Sequence, residues 1–169
     1  MNRKYCLAFL LSLLTPLLIA CQRTGHECRP AANDEVVGNA GCLILQQDKL
    51  LMVQQRNNGH WALPGGTAAA GETASCTAER ETLEETGLDV TAQFRILTLD
   101  NGFHLYRCYV NGDSPVGPID AMEIVRWDWL DIKQRKQLPW RFEEQRGLID
   151  GLVREQQQRD LRSVESHVQ

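Results

Sequence analysis

Gly65-Gly66-Thr67-Ala68-Ala69-Ala70-Gly71-Glu72 runs straight into Thr73-Ala74-Ser75-Cys76-Thr77-Ala78-Glu79-Arg80-Glu81-Thr82-Leu83-Glu84-Glu85-Thr86-Gly87-Leu88. The first part reads as a glycine loop. The second has no Gly or Pro before Gly87 and many good helix formers, and Gly87 stands where a left-handed cap ends a helix. At about 100° per residue, Glu81, Glu84 and Glu85 fall within one face of that helix. Three carboxylates so close repel one another. Solubility does not require the arrangement and a divalent cation relieves it, so the face is a candidate metal site. The competing reading is a solvated acidic helix after a turn.

The run resembles the Nudix box, the 23-residue signature G-x5-E-x7-R-E-U-x-E-E-x-G-U of the Nudix hydrolase family. Gly66, Glu72, Arg80, Glu81, Glu84, Glu85, Gly87 and Leu88 match it, and the first U position departs, being Thr82 where a bulky aliphatic is usual. Seven fixed positions coincide by accident about once in 10^8 windows, which sets the bland reading aside. The resemblance implies an α/β fold, an α/β/α sandwich with a mixed sheet and the Nudix loop-helix, and hydrolysis of a diphosphate bond. It implies that Glu84 and Glu85 ligate metal, that Glu81 ligates or acts as general base, and that Arg80 orients Glu81. Glu72 supports the site, and the Gly65 or Gly66 carbonyl completes the metal shell. Hard carboxylate oxygens suit Mg²⁺, with Mn²⁺ as a substitute. Family members differ in which residue deprotonates the water, so the base stays open.

Upstream, Trp61-Ala62-Leu63-Pro64 leads into the box as the family's W-x-L-P-G-G approach does. Residues 36–45 read as a first buried strand, turning at Gln47-Asp48 into a second over 50–56, with Asn57-Asn58-Gly59 as a turn. Downstream, strands are expected over 90–99, 103–110 and 122–129, with Asn101-Gly102 as a hairpin turn. A final helix is expected over 142–161, its Gln-rich end fraying into a tail at 163–169. The domain is placed at 35–162. Many family members supply a further carboxylate before a Trp-containing strand, here Val125-Arg126-Trp127-Asp128-Trp129. That makes Glu123 a candidate ligand or base, with Asp120 as rival and a solvated strand residue as the alternative. Trp61 is a candidate for stacking on a substrate base, or else core or pocket wall. Trp140-Arg141-Phe142 reads as helix entry and packing, with phosphate or partner contact as the alternative. The histidines at 26, 60, 104 and 167 have no mutual ligand spacing and are assigned no metal, though His60 is near enough to Trp61 to reach a phosphate.

The chain has 169 residues, 43% hydrophobic and 24% charged, which fits one ordinary domain with no internal repeat. Its N-terminus is different in kind. Arg3 and Lys4 precede an apolar run over 5–20, broken only by Ser12, Thr15 and Pro16, in the layout of a secretory signal. Leu18-Ile19-Ala20-Cys21 resembles a bacterial lipobox, and Leu18 is not the small residue an ordinary cleavage site wants at that position. The expectation is a signal peptide at 1–20, lipidation at Cys21, a polar tether over 21–34, and attachment to the membrane through the acyl chains. Gln22 carries no acidic retention signal and, by resemblance to Gram-negative lipoproteins, points to the outer membrane facing the periplasm. Removal of 1–20 leaves 16 basic against 22 acidic residues, a net charge of −6 with no basic patch, so nucleic acid is not an expected partner. Nothing in the sequence sets the oligomeric state.

Four cysteines remain after Cys6 and Cys21, at 28, 42, 76 and 108, and four allow three connectivities. Cys76 lies about 140° from Glu81 around the helix, on an outward face that the segment carrying Cys28 is free to cover. A bridge between Cys28 and Cys76 is therefore preferred, leaving Cys42 and Cys108 on strands; four buried thiols are the alternative.

The reaction class follows as metal-dependent diphosphate hydrolysis. An envelope binding protein of the same fold without turnover is the alternative, and intact Glu81, Glu84 and Glu85 argue against it. For the substrate, the loops at 57–60, 100–103 and 113–120 are polar and Gly-rich with little apolar lining. A small soluble nucleoside diphosphate derivative is therefore expected over a lipid-linked diphosphate.

Overall fold

The computed structural model describes residues 28, 34–112 and 120–167. The signal segment, Cys21 with its lipobox, most of the tether and loop residues 113–119 lie outside the described residues.

Two sheets pack between helices. The first strand, β1 (Ala40–Leu43), is wholly buried. After it the chain breaks at Ile44 and enters β2 (Leu45–Gln46), so the single strand expected over 36–45 is two strands in different sheets. Gln47 and Asp48, with φ of 47° and 65°, make the two-residue turn into β3 (Lys49–Gln55), a conformation matching the strand twist of a tight hairpin. Two short strands, β4 (Trp61–Ala62) and β5 (Gly65–Gly66), precede the helix α1 (Ala74–Thr86). Then come β6 (Val90–Thr98), β7 (His104–Val110), β8 (Ile124–Leu130), the short helix α2 (Ile132–Gln137), a 3-10 turn (Glu143–Gln145) and α3 (Arg146–His167).

One sheet has the order β5-β1-β7-β6 and is mixed, because β1 and β7 run parallel while the other pairs are antiparallel. The other is built on β3, which takes β2 and β4 along one side and β8 along the other. Alternation along β1 and β7 divides the core. Cys42, Tyr106 and Cys108 pack with Ala74 and Ala78 of α1. Leu43 and Leu105 pack with Ile149 and Val153 of α3 on the other side. This is the expected α/β/α sandwich.

Two disulfides stitch it. Cys28 joins Cys76 in the first turns of α1, the pairing preferred from the sequence, with Cα atoms 5.3 Å apart. Cys42 joins Cys108 across the neighbouring strands β1 and β7, Cα atoms 5.5 Å apart, and the Cys42 Sγ lies 3.6 Å from the Ala78 carbonyl oxygen beneath α1. Asp34 adds a second fastening for the incoming chain, taking the Tyr106 hydroxyl at 2.8 Å and the Arg95 Nε at 3.2 Å.

The C-terminal part departs from the sequence reading. Asp131 and Gln134 form a capping box that starts α2, an S/T/D-x-x-E/Q signal legible in the sequence but not read there. Helix α3 begins at Arg146 rather than at 142 and continues to His167. Residues 139–142 are not helical because β4 holds them: the Trp61 N–H donates to the Pro139 carbonyl and the Arg141 N–H to the Trp61 carbonyl, both at 2.8 Å. Behind them Arg135, 1% exposed, donates to Asp150 of α3 at 2.7 Å and to the Leu130 carbonyl at 2.9 Å.

Candidate active site

Helix α1 is fixed at both ends. Its first N–H donates to the Val36 carbonyl, and Gly87 caps it in the left-handed conformation (φ 74°) with its N–H on the Leu83 carbonyl. Its buried face is largely polar, including Ser75, Thr77, Glu79, Thr82, Glu85 and Thr86. These groups are satisfied locally: Glu79 accepts the Ala92 N–H of β6, and the Thr82 hydroxyl donates to the Ala78 carbonyl one turn back. Thr82, where the box favours an aliphatic, is fully buried and fills that core position.

The glycine loop and the helix are tied together by Arg80. Its guanidinium reaches Glu72 (Nε to Oε1, 2.8 Å), Glu81 (Nη1 to Oε1, 2.8 Å), Glu84 (Nη1 to Oε2, 3.1 Å) and the Thr67 carbonyl (2.9 Å). These bonds hold the Arg80 guanidinium well above its usual pKa, so it stays charged. Glu72 also accepts the Ala69 N–H. Burial pushes its carboxyl up, but Arg80 and the Ala69 N–H outweigh that and hold it below the usual range. Thus Arg80 bonds directly to Glu81, the residue it was expected to orient, while Glu72 closes the loop through Arg80.

Gly66 is where the loop meets the carboxylates, since a Cβ there would sit 2.5 Å from the Glu81 carboxyl. At Gly65 a Cβ would sit 2.5 Å from the Gly41 Cα, so only glycine lets β5 pack this closely on β1. The Gly65 N–H donates to Glu85 Oε2 at 2.9 Å. Glu85 is 5% exposed. Burial, with the charges of Glu81 and Glu123 added, pushes its pKa up to about 8 against the opposing Gly65 N–H and Arg141. Burial likewise raises Glu81, opposed by Arg80 and reinforced by Glu84 and Glu123.

Glu123 is therefore near enough to act on both Glu81 and Glu85, although it comes from the turn before β8. That turn is docked on α1 by the Asp120 N–H, which donates to the Glu84 carbonyl at 2.7 Å. Asp120 itself is spent on the turn, its Oδ1 accepting the Met122 N–H. No three His, Cys, Asp or Glu side chains among the described residues converge into a closed metal cage. The group is an open row of hard oxygen donors whose mutual repulsion Arg80 relieves only in part. This suits a cation that keeps several waters and takes the rest of its shell from substrate, as Mg²⁺ does.

On the other side of Gly65–Gly66 lies a cavity of about 230 Å³. Its walls come from Asn39, Trp61, Leu63, Leu99, Asn101, Phe103, Leu105, the tripeptide 140–142, Gln145 and Ile149. Of the loops expected to set specificity, 100–103 contributes Asn101 and Phe103. The loop at 57–60, His60 included, does not line it, and 113–119 lies outside the described residues. Trp61 is 1% exposed, so it is a wall packed into the core. The sequence reading missed the lining from residues 140–149 and understated its apolar character. The one signal was the pair of aromatics flanking Arg141.

Comparison with known proteins shows the family and the fold. The sequence profile of the NUDIX domain matches residues 37–151. An uncharacterized Nudix hydrolase of Bacillus subtilis, YvcI, is 38% identical over 108 residues, covering 58% of this chain and 68% of that protein. The nucleoside diphosphate-linked moiety X motif 6 protein of Xenopus laevis is 46% identical over 69 residues, 39% of this chain and 32% of that protein. The chain spans between 32% and 53% of the length of three of its curated relatives. Among solved structures, an ADP-ribose pyrophosphatase from Streptococcus suis superposes with a TM-score of 0.53 at 26% identity, over 61% of this chain and 78% of that one. A UDP-X diphosphatase shares the fold with a TM-score of 0.59 at 17% identity, over 80% of this chain and 68% of that one. With the glycine loop, the acidic helix and the sandwich in place, the chain belongs to the Nudix hydrolase family.

Proposed function

We propose that the protein is a divalent-cation-dependent hydrolase that cleaves the diphosphate bond of a nucleoside diphosphate derivative in the cell envelope. The observation that carries the reading is the shared glycine pair. Gly65 and Gly66 bond to or abut Glu85 and Glu81 on one side and line the cavity on the other. A ring held in the cavity thus leaves its diphosphate beside the carboxylates. The name of the Streptococcus suis relative, an ADP-ribose pyrophosphatase, supports a substrate of this class.

Glu81, Glu84, Glu85 and the Gly66 carbonyl would hold Mg²⁺, or Mn²⁺ in its place. When bound, the cation neutralises phosphate oxygens and lowers the pKa of an attacking water. The chain's own residues do the rest. Arg80 keeps Glu81 against Gly66, and Glu81, whose proton affinity burial raises, takes the proton of the water, with Glu123 as the alternative base. The aromatic walls exclude water from the ring moiety.

A lipid-linked diphosphate is the second reading, favoured by Leu63, Leu105, Trp140 and Ile149 in the lining. The volume weighs against it, since the cavity falls below the roughly 300–1,000 Å³ of drug-sized sites and suits a base with its sugar better than a polyprenyl chain. Purified residues 22–169 assayed with and without Mg²⁺ on ADP-ribose, UDP-sugars and polyprenyl diphosphate, with mass analysis of products, decide the matter. Mg²⁺-dependent release of nucleoside monophosphate is expected. Polyprenyl turnover alone would overturn the substrate, and no turnover of any member would leave the non-catalytic binding protein.

The envelope location rests on the lipobox-like 18–21, with two disulfides in keeping with an oxidising compartment. Cys21→Ser is expected to move the protein from the membrane to the soluble envelope fraction. Failure of the wild type to incorporate a fatty-acid probe would refute lipidation.

A further inference from the structure

The cavity has one charged residue among its described lining, and it is a cation. Arg141 stands between Trp140 and Phe142 on a backbone held from both sides. Its own N–H donates to the Trp61 carbonyl at 2.8 Å. Trp140, 5% exposed, donates its Nε1 to the Arg135 carbonyl at 3.0 Å, and Arg135 is fixed by Asp150. From this rigid base the Arg141 side chain reaches outward. Its guanidinium lies 5.0 Å from the Phe142 ring centroid, and no carboxylate among the described residues pairs with it at ion-pair distance. Its charge is felt by Glu85, which it pulls down against burial. Arg141 lines the same cavity as Gly65 and Gly66, the pair that bonds to Glu85 and abuts Glu81.

An anion bound along Gly65–Gly66 would have the carboxylates of Glu85 and Glu81 against those glycines and neutral cavity walls around it. A cation held by the carboxylates would answer for one phosphate of a diphosphate. The other, joined to the ring in the cavity, needs a second positive group, and a guanidinium offers two parallel N–H donors to phosphate oxygens. We infer that Arg141 is a phosphate-binding residue that receives the substrate phosphate next to the ring-holding cavity, so that the site selects ring-bearing diphosphates over the free ring. The inference rests on the diphosphate reading proposed above and names a residue outside the glycine loop and acidic helix.

The test separates binding from turnover. Calorimetric titrations with α,β-methylene-ADP, which cannot be cleaved between its phosphates, and with adenosine are made in Mg²⁺ on the wild type, Arg141→Gln and Arg141→Lys. The wild type is expected to prefer α,β-methylene-ADP, and Arg141→Gln to weaken that ligand by about 10–100-fold, the range for a charged hydrogen-bonding pair. Adenosine binding should be unchanged in Arg141→Gln, and Arg141→Lys should recover part of the loss. Equal binding of α,β-methylene-ADP by wild type and Arg141→Gln overturns the assignment. So does a parallel loss of adenosine, which marks a structural role, or a wild type that does not prefer the diphosphate. If the titrations behave as expected while no diphosphate is turned over, Arg141 stands as an anion site and it is the hydrolase reading that falls.

Discussion

The carboxylate half of the site and the cavity half meet at Gly65–Gly66, yet they are assembled differently. Apart from Glu123, the first half comes from one continuous stretch in which Glu72, Arg80, Glu81, Glu84 and Glu85 are placed by a loop and four turns of helix. The second takes its walls from residues 39, 61–63, 99–105 and 140–149, which approach one another only when both sheets and α3 are packed. Helix geometry alone sets the spacing of groups three and four apart. Nothing local sets the distance from Phe103 to Phe142. One half is therefore a property of a segment and the other a property of the fold, and separate lesions should affect them separately.

The largest effect is expected where charge is removed from the segment. Glu84→Gln and Glu85→Gln should each lower turnover on the order of 10³-fold, a loss of about 4 kcal/mol of transition-state stabilisation. Adenosine should still bind, because neither residue lines the cavity. Steady-state kinetics beside calorimetry check both parts. Near-normal turnover in both variants would remove the metal-site assignment, and loss of adenosine binding would show that the halves are not separable.

The reverse lesion is Arg135→Ala. It strips the partner from Asp150 and the donor from the Leu130 carbonyl, and loosens the turn whose carbonyl receives the Trp140 indole. Leaving a buried carboxylate unpaired costs about 3 kcal/mol or more. A lowered denaturation midpoint is expected, with weaker ring binding at temperatures where the variant is still folded. An unchanged midpoint would mean that residues 139–142 are held by the bridge to Trp61 alone.

The same contrast explains what was legible in the sequence. Spacing alone puts Glu81, Glu84 and Glu85 on one helix face, while the role of Arg80, the glycine contact and the sandwich came by resemblance to the family. Periodicity would not have found the buried face of α1, where Glu79, Thr82, Glu85 and Thr86 occupy positions that apolar residues usually take. Around the cavity the signal failed for the opposite reason. Trp140, Leu105 and Ile149 belong to the α3-side core and to the lining at once, and an apolar residue does not announce which of its sides faces a void. Residues 140–142 read as the entry to a helix starting at 142 because their pairing partner, Trp61, lies far away in the chain.

Without added cation, pH should act on the segment through its buried carboxylates. Glu85, ordinarily near 4.5, is raised to about 8 in the fold, and Glu81 is raised in the same direction. From about pH 5 to 8 the unfolded chain has lost the Glu85 proton while the folded chain retains it. Stability is therefore greatest at the acid end of this window and declines as pH rises, by a few kcal/mol at most. Mg²⁺ needs the deprotonated carboxylates, so the stabilisation it adds should grow with pH as the intrinsic stability declines. Thermal melts at pH 5.5 and 8, with and without Mg²⁺, read both slopes. A melting temperature that rises with pH in the absence of cation would contradict the burial of Glu85.

The smallest effect is expected at Thr82, where the chain departs from the box. Its side chain is fully buried on the core face of α1, and its hydroxyl donates to the Ala78 carbonyl at 2.7 Å. That carbonyl already receives the backbone N–H one turn on, as any helical carbonyl does. Thr82→Val therefore removes a donor without stranding an acceptor and puts a methyl in nearly the same volume. Burial of that methyl and loss of a weakly rewarded hydroxyl together predict a gain of ~0.5–1 kcal/mol. Turnover should stay within about twofold, because Thr82 faces Ala78 and the sheet while Glu81 and Glu84 face the glycine loop and Arg80. A higher melting temperature with an unaltered rate would mean that this position of the box asks only for volume. A large loss of rate would mean instead that the hydroxyl helps to set the neighbouring Glu81, and the carboxylate half would then extend into the core on which α1 rests.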